Sequence, residues 1–115
     1  MSIERLHKNK LYSEAVIDGN VVYLSGQGDP KGGAIADQTR FTLKSIDALL
    51  KEAGTNKSKL LSAMIWLSDI RNYDEVNKVW QKWIDPKNPP ARACVEAKLA
   101  FPQVAIEIMV VAALS

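Results

Sequence analysis

The run Pro89-Pro-Ala-Arg-Ala-Cys-Val-Glu-Ala-Lys-Leu-Ala100 changes character with a period of two after its proline pair, the pattern of a β-strand. Ala91, Ala93, Val95, Ala97 and Leu99 fall on one side and are expected to face the core; Arg92, Cys94, Glu96 and Lys98 fall on the other. Arg92 therefore leads the outer side. A guanidinium stays charged at any working pH, and its planar fork fits a carboxylate through two parallel hydrogen bonds. Arg92 is thus either a solvated edge arginine, as most strand arginines are, or the clamp for a small organic acid.

Downstream, Val104-Ala-Ile-Glu-Ile-Met-Val-Val-Ala-Ala-Leu114 is apolar and β-branched at its start, with Glu107 as its one ionisable group. It reads as a largely buried strand carrying a single carboxylate. Such a group suits general acid/base work or the ordering of a water; the plainer alternative is a strand glutamate facing solvent. Ala100-Phe-Pro-Gln103 reads as a short hairpin connection, with Pro102 fixing a turn dihedral. An even-numbered loop would put Glu107 on the Arg92 face, opposite Glu96, about 13 Å along the strand from Arg92. The two side chains then do not meet in one chain. A site using both needs an unusually long ligand or a second subunit, and the second option fits so small a domain.

Upstream, Glu14–Asp18 and Val21–Gln27 read as strands around Gly19-Asn20, followed by a glycine-rich loop through Gly33. Apolar residues from Ile35 to Ala53 recur at helical spacing, and Gly54 suits the left-handed position after the last turn. Leu60–Ser68 alternates Leu61, Ala63, Ile65 and Leu67 against Ser62, Met64, Trp66 and Ser68, a further strand. Asn72 with Glu75 reads as an N-cap and its reciprocal partner, opening a helix whose stripe is Tyr73, Val76, Val79, Trp80, Trp83 and Ile84 and which Pro86 stops. Trp80 and Trp83 are expected in the core. Asn77, beside the stripe, is either a surface amide or a hydrogen-bonding lining of a pocket. The order is β-β-α-β-α-β-β, an α+β layer with both helices on one face of the sheet. An opposite face carrying Met64, Trp66, Cys94, Met109 and Val111 is too apolar for water, which points to self-association.

Composition bounds the chemistry. The 115 residues make one domain, 1–115, and 47% apolar residues suffice for a single modest core. Fifteen basic and 13 acidic residues, net +2 and mixed along the chain, argue against nucleic acid or an acidic membrane as partner. A lone cysteine fits a reducing compartment, the first residues carry no apolar signal core, and no apolar run reaches the ~18 residues of a membrane helix, so the expected location is cytoplasmic. His7 is the only histidine and lies near the terminus, which weighs against a catalytic triad and against a zinc site of Cys and His. Gly26-Gln-Gly28 and Gly32-Gly33 match neither dinucleotide nor Walker spacing, so no nucleotide cofactor is indicated; a carboxylate-bound magnesium stays open.

Taken together, Tyr12-Ser13, Ser25-Gly26-Gln27, Val76-Asn77, Pro90-Ala91-Arg92-Ala93-Cys94-Val95-Glu96 and Ile106-Glu107-Ile108 resemble the RidA (YjgF) family of small enamine/imine deaminases along nearly the whole chain. The Pro-Ala-Arg-x-Cys-Val-Glu match is the specific one. The resemblance implies a chorismate-mutase-like fold and a homotrimer with three sites in the clefts between subunits. It implies that Arg92 grips the substrate carboxylate, that the Cys94 backbone contacts the imine without the thiol reacting, and that Glu107 positions or activates water. Tyr12, Gly26 and Asn77 would line the cleft. The implied reaction, hydrolysis of 2-imino acids to 2-keto acids and ammonia, needs neither cofactor nor metal. Two departures border the cleft: Lys10-Leu11 replaces a common Gly-Pro, and the loop after Gln27 is shorter and richer in glycine. A non-catalytic sensor of small carboxylates, or a ribonuclease or translation inhibitor, are the competing functions.

Overall fold

The computed structural model describes residues 2–115. Its elements are β1 (Glu4–Leu6), β2 (Ala15–Asp18), β3 (Val21–Leu24), α1 (Ile35–Ala53), β4 (Leu60–Leu67), α2 (Tyr73–Trp83), β5 (Ala91–Glu96) and β6 (Ile106–Ala113). The six strands form one mixed sheet in the order β1-β2-β3-β6-β4-β5, with β4 and β5 parallel and every other pair antiparallel. The expected succession of elements holds, with β1 added ahead of it. Three residues pairing with the β2 edge are too few to show a period.

Leu43, Ile46 and Leu50 of α1 and Val76, Val79 and Trp80 of α2 pack on Val22, Ala63, Ile65, Leu67, Ile106, Ile108 and Val110 of the sheet. Each fully buried large aliphatic side chain contributes about 1.5–3 kcal/mol of transfer free energy. Gly54 ends α1 at φ 92°, where its N–H bonds to the carbonyl oxygens of Leu50 and Lys51. The thinnest dimension, 20 Å, is that of one sheet under one helix layer, so the other sheet face has no cover from this chain. That face carries Tyr23, Met64, Trp66, Val95, Met109 and Val111, with Tyr23, Val95 and Met109 each at least two-fifths exposed.

Four local expectations are corrected. First, β5 and β6 form no hairpin, because β4 lies between them. The α2 crossover delivers β5 parallel to one edge of β4, and the chain then returns to the other edge, where β6 gains both β3 and β4 as neighbours. The most apolar strand thereby takes the position paired on both sides. Second, the faces of β5 are reversed: Arg92 and Cys94 pair with Ala63 and Ile65 on the helix-covered side, whereas Ala91, Ala93 and Val95 are exposed on the open side. Alanine on alternate positions does not mark a core, and an arginine stem buries readily with its head over an aromatic ring. Cys94 accordingly leaves the list of open-face residues.

Third, Leu61 points outward at 49% exposure, because the pairing shifts between Leu60–Ala112 and Ser62–Val111 and this bulge turns Leu60 inward instead. Fourth, the Asn72 side chain caps nothing. A 3-10 turn over Ile70–Asn72 precedes α2, and Asp69 accepts from the Arg71 N–H at its start.

Candidate functional site

Glu107 lies on the open face of β6, paired with Trp66 of β4, and is half-buried rather than enclosed. Its wall is made by a slip in the neighbouring strand. From Tyr23–Val111 to Gln27–Ile108, β3 and its extension advance four residues while β6 advances three, so one extra residue bulges at Ser25-Gly26. Gln27 and Ile108 exchange backbone hydrogen bonds of 2.8 and 3.0 Å just beyond it. The Gly26 backbone is thereby pressed against the Glu107 side chain, and a Cβ there would land on the carboxylate. Only glycine fits.

A cleft of about 600 Å3 opens beside this pair, lined among others by Tyr12, Glu14, Ser25, Leu99, Phe101 and Val104. Two carboxylates, Glu14 and Glu107, face it, and no lysine, arginine or histidine does. The ion pairs among the described residues join His7 to Glu52, Arg40 to Asp37 and Arg71 to Asp69, so neither Glu107 nor Arg92 is neutralised by a charged partner.

The cleft walls are tied together by two glutamines. Gln38 is buried and donates to the carbonyls of Gly33 (2.8 Å) and Gln103 (3.3 Å), while its oxygen accepts from the Ala105 N–H at 2.9 Å. Gln103 in turn donates to the Pro30 carbonyl at 3.0 Å. The glycine loop and the β5–β6 connection are thus held as one unit, a fixed wall rather than two free loops.

Arg92 stands elsewhere. It is on edge strand β5, paired with Ala63, on the face opposite to Glu107. Three residues along β4 and two strand spacings separate their backbone positions, about 14 Å. The expectation that they share a face fails, whereas the expectation that they do not meet in one chain holds for a different reason. The guanidinium lies over the rings of Trp80 (5.2 Å) and Tyr73 (5.9 Å), with a long 3.4 Å contact to the Tyr73 hydroxyl. Both rings attract the guanidinium charge by cation–π interaction, and among the described residues no carboxylate occupies its fork. Trp80 is therefore a core residue, as expected, and also the platform of the arginine.

Asn77 falls between Tyr73 and Trp80 on the same stripe of α2 and is half-buried, so it belongs to the Arg92 side and lines no part of the cleft. Cys94 also lies on the Arg92 side. Burial pushes its thiol above the ordinary value, with the Arg92 charge opposing only in part, so the thiol is kept protonated and is a poor nucleophile.

The six residues singled out from sequence thus separate into Tyr12, Gly26 and Glu107 around the cleft and Asn77, Arg92 and Cys94 around the β5 edge. Sequence reasoning missed Glu14, Phe101, Gln38 and Gln103. Glu14 directly follows the Tyr12-Ser13 pair and could have been found there; the glutamines carry no local signal, since their partners lie up to 73 residues away. No group of three His, Cys, Asp or Glu is gathered for a metal among the described residues.

A two-helix layer on a mixed sheet is the architecture of YjgF-type proteins. The chain belongs to the Endoribonuclease L-PSP family, whose model matches residues 2–114. It is 40% identical over 115 residues to a RutC family protein of Haemophilus influenzae, covering 97% of this chain and 98% of that protein. It superposes on a YjgF family member from Neisseria meningitidis with a TM-score of 0.97 at 40% identity, covering 100% of this chain and 97% of the other. A member of the conserved Rid family from Yersinia pestis, YyfA, of unknown function, superposes with a TM-score of 0.86 at 33% identity, covering 92% and 90%.

Proposed function

We propose that this chain, one domain over 1–115, is a cytoplasmic deaminase that hydrolyses reactive 2-imino and enamine acids to 2-keto acids and ammonia in a homotrimer. The observation that carries the reading is the division of the site. Among the described residues, the cleft has the carboxylate for water chemistry and no basic side chain in its lining, whereas the Arg92 guanidinium stands on the β5 edge outside that lining. The two complete one another only across a subunit boundary, and the uncovered apolar sheet face supplies the area for that boundary.

In the assembled site, Arg92 of one subunit takes the substrate carboxylate through its two-pronged fork, and the Cys94 backbone next to it contacts the imine. Glu107 of the adjoining subunit accepts a proton from water as the water oxygen bonds to the C=N carbon. That proton passes to nitrogen, the carbinolamine collapses, and ammonia leaves with the keto acid remaining. The step consists of positioning and proton transfer, for which no cofactor is required. The family model is described by an endoribonuclease activity, but a cleft with two carboxylates, joined in the assembled site by the single Arg92 guanidinium, is a poor seat for a phosphodiester backbone.

The test is complementation. Arg92→Ala and Glu107→Gln homotrimers should each be nearly inactive in a coupled assay of imino acids generated in situ. Unfolding and reassembling them in equal amounts should restore about a quarter of wild-type activity, because one neighbour pair in four then combines an intact arginine with an intact glutamate. Mixed oligomers that stay inactive would rule out the shared site.

A further inference from the structure

We propose that the Glu107 cleft contains a side-chain subsite, and that Phe101 makes it select imino acids with large apolar side chains; this rests on the deaminase reading above. Phe101 lines the cleft and is 60% exposed, together with Pro30, Leu99 and Val104. A phenyl ring left in water at a cleft mouth gains by being covered.

The ring is presented firmly. The Phe101 carbonyl accepts from the Val104 N–H at 3.1 Å, closing a turn. The same turn is fastened through Gln103 to Pro30 and through Gln38 to Gly33. An apolar wall on a fixed turn discriminates by fit, which a floppy loop does not.

Size and charge select in the same direction. A cleft of about 600 Å3 has room for about twenty waters, far more than a three-carbon imino acid displaces. Glu14 and Glu107 repel a second carboxylate on the substrate, and the Gln27 amide is engaged by Ser25 at 3.2 Å, so an acidic side chain meets no free cation among the lining residues. An aliphatic or aromatic side chain covers Phe101 and brings no charge of its own toward the two carboxylates.

The test measures kcat/KM for imino acids made in situ from alanine, leucine, phenylalanine and glutamate, alongside the binding of pyruvate and 4-methyl-2-oxopentanoate by calorimetry. Wild type should favour the leucine and phenylalanine derivatives over the alanine derivative by about tenfold or more, with glutamate's the poorest. Phe101→Ala should bring the series within about threefold, chiefly by raising KM for the leucine and phenylalanine derivatives, while the oligomer mass stays that of wild type. Phe101→Leu should retain part of the preference. Equal values across the wild-type series, or a preference that survives Phe101→Ala, would overturn the subsite. Loss of the wild-type mass in Phe101→Ala would do so too, by assigning the ring to a subunit contact. If wild type hydrolyses no imine, the binding series still decides: tighter binding of 4-methyl-2-oxopentanoate than of pyruvate, lost in Phe101→Ala, upholds the subsite while the deaminase reading falls.

Discussion

The cleft around Glu107 is built from loops and a strand bulge, opens on the uncovered face of the sheet and carries two carboxylates. The Arg92 edge is built from a strand and a helix, lies on the covered face and holds a cation against two aromatic rings. One region offers a cavity with carboxylates, the other a guanidinium held against aromatic rings. Because β5 is the outermost strand of the sheet, its side chains lie where a second copy can reach them, whereas β6 is enclosed between β3 and β4. In the proposed reading, the difference lets a chain this small make a closed, charge-matched site: each copy would carry half, and assembly would join the halves.

Disrupting the joint should have the largest effect. Met109 lies on the open face at 40% exposure, so Met109→Lys costs the isolated chain little yet would bury a charge at the proposed boundary. Light scattering is expected to show three chain masses for wild type and one for the variant, with activity lost and the far-ultraviolet spectrum unchanged. A wild-type monomer at all concentrations would break the two-region reading outright.

Within an intact trimer, the two regions should fail differently. Glu107→Gln is expected to lower kcat by about 10²- to 10⁴-fold, the usual cost of a lost acid/base group, while keto-acid binding persists. Arg92→Lys should be nearly as damaging as Arg92→Ala but should act chiefly on binding, since lysine keeps the charge and loses both the fork and its stack on Trp80. Steady-state kinetics with keto-acid titrations separates these outcomes, and an Arg92→Lys enzyme with wild-type affinity would return the arginine to an ordinary edge residue.

Cys94→Ala sharpens the comparison at lower amplitude. Its thiol is held protonated by burial, so the variant should keep most of the rate, and alkylating reagents should spare wild type. Abolished turnover in a folded Cys94→Ala trimer would call for a nucleophilic thiol.

The smallest effect belongs to a residue in neither region. The half-buried Asp85 accepts hydrogen bonds from Asn88, Ser58 and the Lys87 N–H, which hold its carboxyl at about 2, below the ordinary 3.8. A value lowered on folding contributes stability that is complete above the unfolded value and lost as pH falls through the folded one. Denaturation midpoints of wild type and Asp85→Ala, at matched protein concentration, should therefore differ slightly at pH 5 and converge as the pH drops through about 2. A gap that persists unchanged below that pH would show that the contacts act independently of the charge.

Periodicity alone was enough to place α1, α2 and β4 and to mark the uncovered face as unfit for water, because the 3.6- and 2-residue repeats are properties of the local backbone. Gly54 was legible for the same reason, since a left-handed cap is a local demand. Arg92 and Glu107 were legible as residues: a guanidinium and a carboxylate on otherwise apolar strands stand out by composition. What the sequence could not determine was their relation. Alternation divides a strand into two sides without saying which is covered, so only the packing of α2 showed that Arg92 and Cys94 lie beneath the helices. Adjacency in sequence likewise suggested that β5 and β6 pair, whereas the tertiary structure inserts β4 between them. Gln38 and Gln103 acquire their roles only through partners distant in the chain. Strand order, facing and long-range hydrogen bonds depend on the free energy of burying all elements together, and no window of local sequence contains that sum.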